Sequence, residues 1–555
     1  MIIRDILQKF FLNILWIFFL LFAFNVLVQG QSLEEKISAT NIESHVRFLG
    51  SDALQGRGTG TIGTQVAAAY LASYLSQYGI QPFGDNQSYF QQIPMHGAQP
   101  LPGSKFELIS GRKITELVLK RDYLLYQTGA QTHIPQPVEL VFVGYGIVAP
   151  EFDYNDYHDL NVAGKIVVFL SGEPPSTDSA YFNGTEPTIF SYPEAKQRIA
   201  ISRGALGSIL IPTPRDEQGR NWQYWVNTFC FENITLPFTV TSNLSVVMNP
   251  QAAQRLFSGA PYSLRQIFRL DYRHRVQSFP LQLKIVFHGQ FKEREFIDQN
   301  VIGLLPGQNQ APDDKYIILG AHYDHLGIGR PVHGDSIYNG VLDNAIGVSG
   351  LLEIGRVFAT TAMRPKYSLI FLFTTGEEHG LLGSEYYLEN PAAPLQKTIA
   401  NINIDGLAPT DTFEDIIGIG AELSDLGKIL RQTAEKYNLT VSPIPSQFVA
   451  SESFARSDQI AFAKAGIPAI LIAEGLNLHH FTQEEALAKM FFWSSKIYHS
   501  PFDDLNQEIN FEAVRFHCEI IRTFTQILAN SEETPKWQPG TPYRIARLQS
   551  LVEEK

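Results

Sequence analysis

The sequence predicts an α/β protein: a mixed, mostly parallel twisted sheet with helices on both faces, interrupted by a β-rich inserted domain. Three observations predict it. From about residue 296 onward, short apolar runs alternate with helical stretches at the spacing of βαβ units. Between about 97 and 290 the texture changes to Pro, Gly and short β-branched or aromatic runs, with little helix expected. Polar clusters fall at the ends of the later apolar runs, where an open α/β sheet presents its sites.

Composition bounds what such a chain can be. It has 555 residues, 44% hydrophobic and 18% charged, which excludes wholesale disorder, collagen and coiled coil. The 43 basic and 56 acidic side chains give a net charge of −13, which argues against a nucleic-acid partner. Two cysteines exclude a disulfide scaffold and a Cys-rich zinc module. Cys230 and Cys518 lie in different halves of the chain and are expected not to pair. Any metal must therefore rest on His, Asp and Glu.

The elements follow in order. Arg4 and Lys9 precede an uncharged run from Phe10 to Val28, the pattern of an export signal over 1–30, with Val28-Gln29-Gly30 as a cleavage site. The run is longer than the ~7–15 residues of a signal core and approaches the ~20 that span a bilayer, so an uncleaved anchor is the alternative. The chain is thus expected to be exported (periplasmic, secreted or lumenal), touching a membrane only through residues 10–28. Residues 31–96 read as helical and as the first part of the main domain. Val66, Ala69, Tyr70, Leu71, Tyr74 and Leu75 recur at helical spacing between Gln65 and Tyr78, and Gly79 stops the helix. The β-rich insert is expected over 97–292, with strands at Val138–Val143, Lys165–Leu170, Ser208–Ile211 and Leu281–Phe287. The main domain resumes over 293–535. Its strands are expected at Tyr316–Leu319, Ser368–Phe373, Ile399–Ile404 and Pro468–Ile472. Its helices are expected at Asn344–Phe358, Ser424–Tyr437 and Phe511–Leu528. Residues 536–555 are polar and expected to form a surface tail.

The strand ends carry His322, Glu377, Glu378 and Asp405. Asp343 opens a helix and His499 sits in a loop after the last strand. His322, Asp343, Glu378, Asp405 and His499 form an all-nitrogen-and-oxygen donor set of the kind catalytic zinc takes. Five such residues with one bridging Asp would give each of two Zn(2+) ions three protein ligands. Glu377 adjoins a ligand and has no structural duty, which suits a general base. Asp324, two residues after His322, is expected to accept the other imidazole N–H and fix its tautomer. His325, His333, His379, His479 and His480 read as supporting, surface or loop histidines rather than ligands.

Motifs in order strengthen this: Gly320–Leu326, Asp343–Gly347, Gly376–Ser384, Asn403–Gly406, Ser457-Asp458, Phe462–Pro468 and Tyr498–Pro501, with Arg47–Leu49 and Gly56–Gly60 upstream. Together they resemble the co-catalytic di-zinc aminopeptidases of peptidase family M28, over residues ~41–95 and ~296–530. The insert resembles, more loosely, a protease-associated domain, through Phe142–Ile147, Leu160–Val168 and Gly204–Gly207. The resemblance implies the zinc-peptidase fold and a peptide substrate. It implies one zinc on His322 and Asp405, the other on Glu378 and His499, and Asp343 bridging both. It implies Glu377 as base and Tyr498 as a donor to the developing oxyanion, and it leaves Arg456 as a residue that could contact substrate. The chain departs from the family pattern at Leu342, Ile346 and Gln459, none of which removes a ligand. The expected function is an exported zinc exopeptidase, foremost an aminopeptidase. The alternatives weighed are a carboxypeptidase, dipeptidase or glutaminyl-cyclase-like enzyme of the same fold, and a non-catalytic receptor-like binding module.

Overall fold

The computed structural model describes residues 36–552, apart from 127, 130, 179, 185–187, 216–220, 274, 310–313, 362–363, 446–447 and 449. The export segment expected over 1–30 lies outside the described residues. Among them, no helix is long and apolar enough to cross a membrane.

Two sheets organise the chain. The larger contains β1 (Phe90–Pro100), β2 (Asn233–Thr235), β3 (Phe291–Leu305), β4 (Tyr316–His322), β5 (Ser368–Thr374), β6 (Thr398–Asn403), β7 (Asp415–Ile419), β8 (Thr440–Val441) and β9 (Ala469–Glu474). Their order is β2-β1-β3-β5-β4-β6-β9-β7-β8, with Gln81–Pro82 beside β3. The four central strands β5, β4, β6 and β9 are parallel, and β1 to β3 on one flank and β7 against β9 on the other are antiparallel.

The central strands are continuous apolar runs because both their faces are covered. Ile317, Leu319 and Ala321 of β4 join Leu369, Phe371 and Phe373 of β5 in one core, under the helices Ala39–Leu49, Ile62–Gln77, Ile346–Thr360 and Phe511–Ala529. Ile318, Ile370 and Leu372 point the other way, toward the helices Leu382–Glu389 and Gln459–Lys464. Asn510 starts the long helix Phe511–Ala529 by accepting from Ala513 N. Gly79, at φ 74°, ends Ile62–Gln77 in the left-handed region.

Three details differ from the expectation. First, the leading segment is not all helix, since β1 begins at Phe90 and alternates Ile93 and Met95 inward. Its long pairing with β3 carries the sheet across residues 97 and 292. Second, the insert is not poor in helix. Its eight-stranded sheet has four parallel strands, His133–Phe142, Ile166–Leu170, Gly207–Ile211 and Leu244–Met248. Parallel neighbours need crossovers, and the helix Pro193–Ser202 supplies one. One insert segment, β2, leaves that sheet and joins the larger one through β1. Third, residues 536–552 are docked rather than a free tail. Trp537 is buried, its Nε1 donates to Gly466 O at 2.8 Å, and Tyr543 packs on both Trp537 and Phe454. Two aromatics in a polar stretch were enough to anchor it.

Trp537→Ala should therefore lower stability by about 3 kcal/mol, the usual cost of removing a large buried aromatic. Denaturant unfolding checks this, and an unchanged midpoint would refute the docking.

Candidate metal centre

The parallel strands end on one side of the sheet, and the chemistry gathers there. His322 ends β4, Glu377 and Glu378 form a turn just after β5, and Asp405 follows β6. Asp343 lies in the turn Val341–Ala345 ahead of the helix Ile346–Thr360, and His499 follows the turn Trp493–Ile497. Gly340 makes the Asp343 turn possible. Its φ is 60°, and a Cβ there would sit 2.4 Å from the His325 ring and 2.2 Å from Asp343 O. The Asp343–Asn344 peptide bond is cis. Asn344 ties the turn to the end of β6, donating to Ile404 O at 2.8 Å and accepting from Gly406 N at 3.0 Å.

Five side chains converge. His322 Nε2 is 3.2 Å from Asp343 Oδ1 and 3.2 Å from Asp405 Oδ1. His499 Nε2 is 3.3 Å from Asp343 Oδ2 and 3.0 Å from Glu378 Oε2. Asp343 thus turns one oxygen toward each half of the cluster. Ligand atoms of His322, Asp343 and Glu378 lie within 4.8 Å of one another, as do those of His322, Glu377 and Asp405. The donor set suits a divalent cation such as zinc, being imidazole nitrogen and carboxylate oxygen only. The buried His499 Nε2 lies close to two carboxylates yet makes no aligned hydrogen bond. The three groups thus crowd one point, as ligands of a common cation would.

The electrostatics agree. Burial opposes charge on His322, yet Glu377, Asp405 and contacts to Asp343 and Asp405 hold it well above the usual imidazole range. Desolvation also opposes charge on the half-buried His499, and Glu378 and Asp343 raise it well above that range. Burial alone would raise Asp343, but contacts from His322 and His499 pull it well below the ordinary carboxylate value. Glu377 lacks such a partner. Burial and the charges of Glu378, Asp405 and Asp458 push it well above the ordinary value, outweighing His322.

Asp324 departs from its expected role. His322 Nδ1 is 3.2 Å from the main-chain oxygen of Asp324 and 3.8 Å from its carboxylate. The carboxylate accepts instead from Thr59 Oγ1 at 2.9 Å and from Glu377 N at 3.2 Å. The backbone carbonyl orients the imidazole, and the side chain orients the Glu377 turn. Burial raises Asp324 to about 7. Tyr498 stacks on His499 with ring centroids 3.8 Å apart. Burial and the charges of Asp343, Glu378, Glu377 and Asp405 push its hydroxyl well above the phenol range. Arg456 is exposed and, among the described residues, shares no hydrogen bond or ion pair with the cluster.

Other residues in the site carried weak sequence signals. His325, set aside as a supporting histidine, is fully buried with Nδ1 2.5 Å from Glu378 Oε1. Asp458 accepts from Thr374 Oγ1 at 2.5 Å and Ser384 Oγ at 2.6 Å behind the β5 turn. Spacing alone could not reveal either, since both act through residues distant in the chain. His379 is held neutral by burial, its pKa lowered to about 4. His333 stacks beside Phe502, and His479 and His480 contact Thr412 and Asp411.

Residues 300–525 match the model of peptidase family M28. Aminopeptidase NAALADL1 of Mus musculus is 34% identical over 135 residues, which are 23% of this chain and 16% of that protein. Leupeptin-inactivating enzyme 1 of Streptomyces exfoliatus is 27% identical over 212 residues, 37% of this chain and 43% of that protein. The chain therefore spans less than half the length of either curated relative. Among solved structures, the aminopeptidase from Aneurinibacillus sp. strain AM-1 superposes with a TM-score of 0.53 at 18% identity. That match covers 91% of this chain and 96% of the other, a likeness of fold.

Zinc binds only neutral imidazole, so its uptake must displace the protons that the carboxylates hold on His322 and His499. Zinc titrated into metal-free protein at neutral pH should release on the order of two protons, and its affinity should fall as pH drops. Calorimetry in two buffers of different ionisation heat counts the protons, and no release would refute the assignment of these imidazoles.

Proposed function

We propose that this chain, with its peptidase family M28 domain over residues 300–525, is an exported zinc-dependent exopeptidase, and specifically an aminopeptidase. One observation carries the reading. Asp343 directs Oδ1 toward His322, itself beside Asp405, and Oδ2 toward His499, itself beside Glu378. That is the arrangement a shared carboxylate needs to serve two cations. His322 and Asp405 would hold one zinc, Glu378 and His499 the other, with Asp343 common to both. When bound, the zinc pair lowers the pKa of water and polarises a peptide carbonyl.

The chain's own groups do the rest. Glu377 removes the proton of the attacking water and passes it to the leaving amine. Burial and the neighbouring carboxylates raise its pKa despite His322, the direction that makes a carboxylate a better base. The Asp324 carboxylate holds the Glu377 main chain in place. Tyr498, stacked on His499 and keeping its proton, donates to the carbonyl oxygen as negative charge grows there. The two-cation site would favour a substrate with a free α-amine beside the scissile bond, and so release of N-terminal residues. Export rests on residues 1–30.

Glu377→Gln should retain zinc and lose activity by about 10²–10⁴-fold, the span of a general base. Asp343→Ala should lose the metal, and full zinc content in that variant by elemental analysis would refute the bridge. A peptide-library digest read by mass spectrometry, with and without chelator, should show residues leaving from the N-terminus only when metal is present. Loss from the C-terminus, or cyclisation of N-terminal glutamine, would overturn the aminopeptidase reading.

A further inference from the structure

Two charged residues that take no part in the chemistry above grip the loop that presents Asp343. Arg57 is 1% exposed and stands at φ 48°. Its guanidinium donates to four main-chain carbonyls and to no carboxylate among the described residues. Nε reaches Tyr323 O at 2.8 Å, Nη1 reaches Leu49 O and Asn339 O at 2.6 Å each, and Nη2 reaches Gly340 O at 2.9 Å. Tyr323 follows His322, and Asn339 and Gly340 lead into Asp343. One buried fork therefore joins two segments that carry donors of the cluster.

Asp503 holds the same loop by the opposite polarity. It is fully buried, and its Oδ1 accepts from Leu342 N at 2.8 Å and its Oδ2 from Asp343 N at 3.0 Å. Its main-chain oxygen accepts from Val341 N at 3.2 Å. Asp503 lies four residues beyond His499 on the same loop. The carbonyls of 339–340 thus point to a cation and the amides of 342–343 to an anion. The loop cannot slide without breaking charge-assisted hydrogen bonds at both ends, and such bonds are about twice as strong as neutral ones.

We propose that Arg57 and Asp503 form a positioning pair that sets the Asp343 loop against both His322 and His499, and so pre-forms the two-cation site. The proposal rests on the cluster being a metal centre. The residue types are specific to the task. Arginine alone offers several donors in a rigid fork, and lysine cannot span four carbonyls on three segments. Asparagine offers one acceptor oxygen, so in place of Asp503 its NH₂ would face a backbone N–H.

The test uses the full chain with Arg57→Lys and Asp503→Asn, each measured metal-free and with zinc. Hydrogen exchange of the segment 339–346 in the metal-free protein should be at least about tenfold faster in each variant, while the insert strand Phe279–His288 exchanges as in the parent. Zinc affinity, read by competition with a chromogenic chelator, should fall about 10–100-fold. A merely structural role would lower the melting temperature and leave the folded protein's zinc affinity unchanged, and that result overturns the proposal. So does unchanged exchange over 339–346. If Arg57→Lys does not fold, Asp503→Asn decides alone. Exchange is measured without zinc, so a parent chain that takes up no zinc refutes the metal-centre reading by a separate route.

Discussion

Like-charge repulsion among crowded carboxylates governs this structure. Buried Asp343 and the half-buried Glu377, Glu378 and Asp405 meet in one crevice. A unit-charge pair 4 Å apart costs about 4 kcal/mol at an effective dielectric of 20. Removing a carboxylate from water costs more unless it is compensated. Among the described residues, no Lys or Arg forms an ion pair with any of the four. The carboxylates favour the charged forms of His322 and His499, and burial with the neighbouring carboxylates pushes the Glu377 pKa up. The carboxylates that remain only partly offset are the groups a cation would neutralise.

The fold supplies the rigidity this crevice needs. Four parallel strands, apolar on both faces, fix the depth and direction of His322, the Glu377-Glu378 turn and Asp405. Asp343 and His499 come from loops, which strands do not position. Asn344, Arg57 and Asp503 hold those loops by hydrogen bonds to backbone atoms. Arg57 is the costliest of these. Burial lowers its guanidinium to about 10, against the pull of Asp324, Asp503, Asp343 and Glu378. It remains charged, and that charge sits beneath the carboxylates it helps to arrange.

The insert is bound into the larger domain more closely than an appended module would be. Its two connections are the long strands β1 and β3, which pair along their length. A third attachment, β2, extends the sheet beside them. Arg294 of β3 pairs with Glu232 just before β2 and also donates to Thr59 O and Gly60 O. Glu232 of the insert therefore reaches the segment that carries Arg57 through Arg294.

Much of this was legible without coordinates. The alternation of apolar runs and helical stretches determined the α/β class, because a strand covered on both faces must be apolar throughout. The placement of His, Asp and Glu after those runs determined the donor set, because parallel strands deliver their ends to one side. The sequence could not show how the groups meet. It offered Asp324 as the partner of the His322 ring, whereas tertiary packing gave that duty to a backbone carbonyl and turned the carboxylate toward Glu377. It read His325 as a supporting residue, and folding decided that it is Glu378 that it supports. It read residues 536–555 as a tail, though Trp537 finds a carbonyl 71 positions away. Periodicity and motif spacing are local, and they determined the elements and the residues at their ends. Contacts between side chains and distant backbone depend on how loops return, and only the tertiary structure decided those.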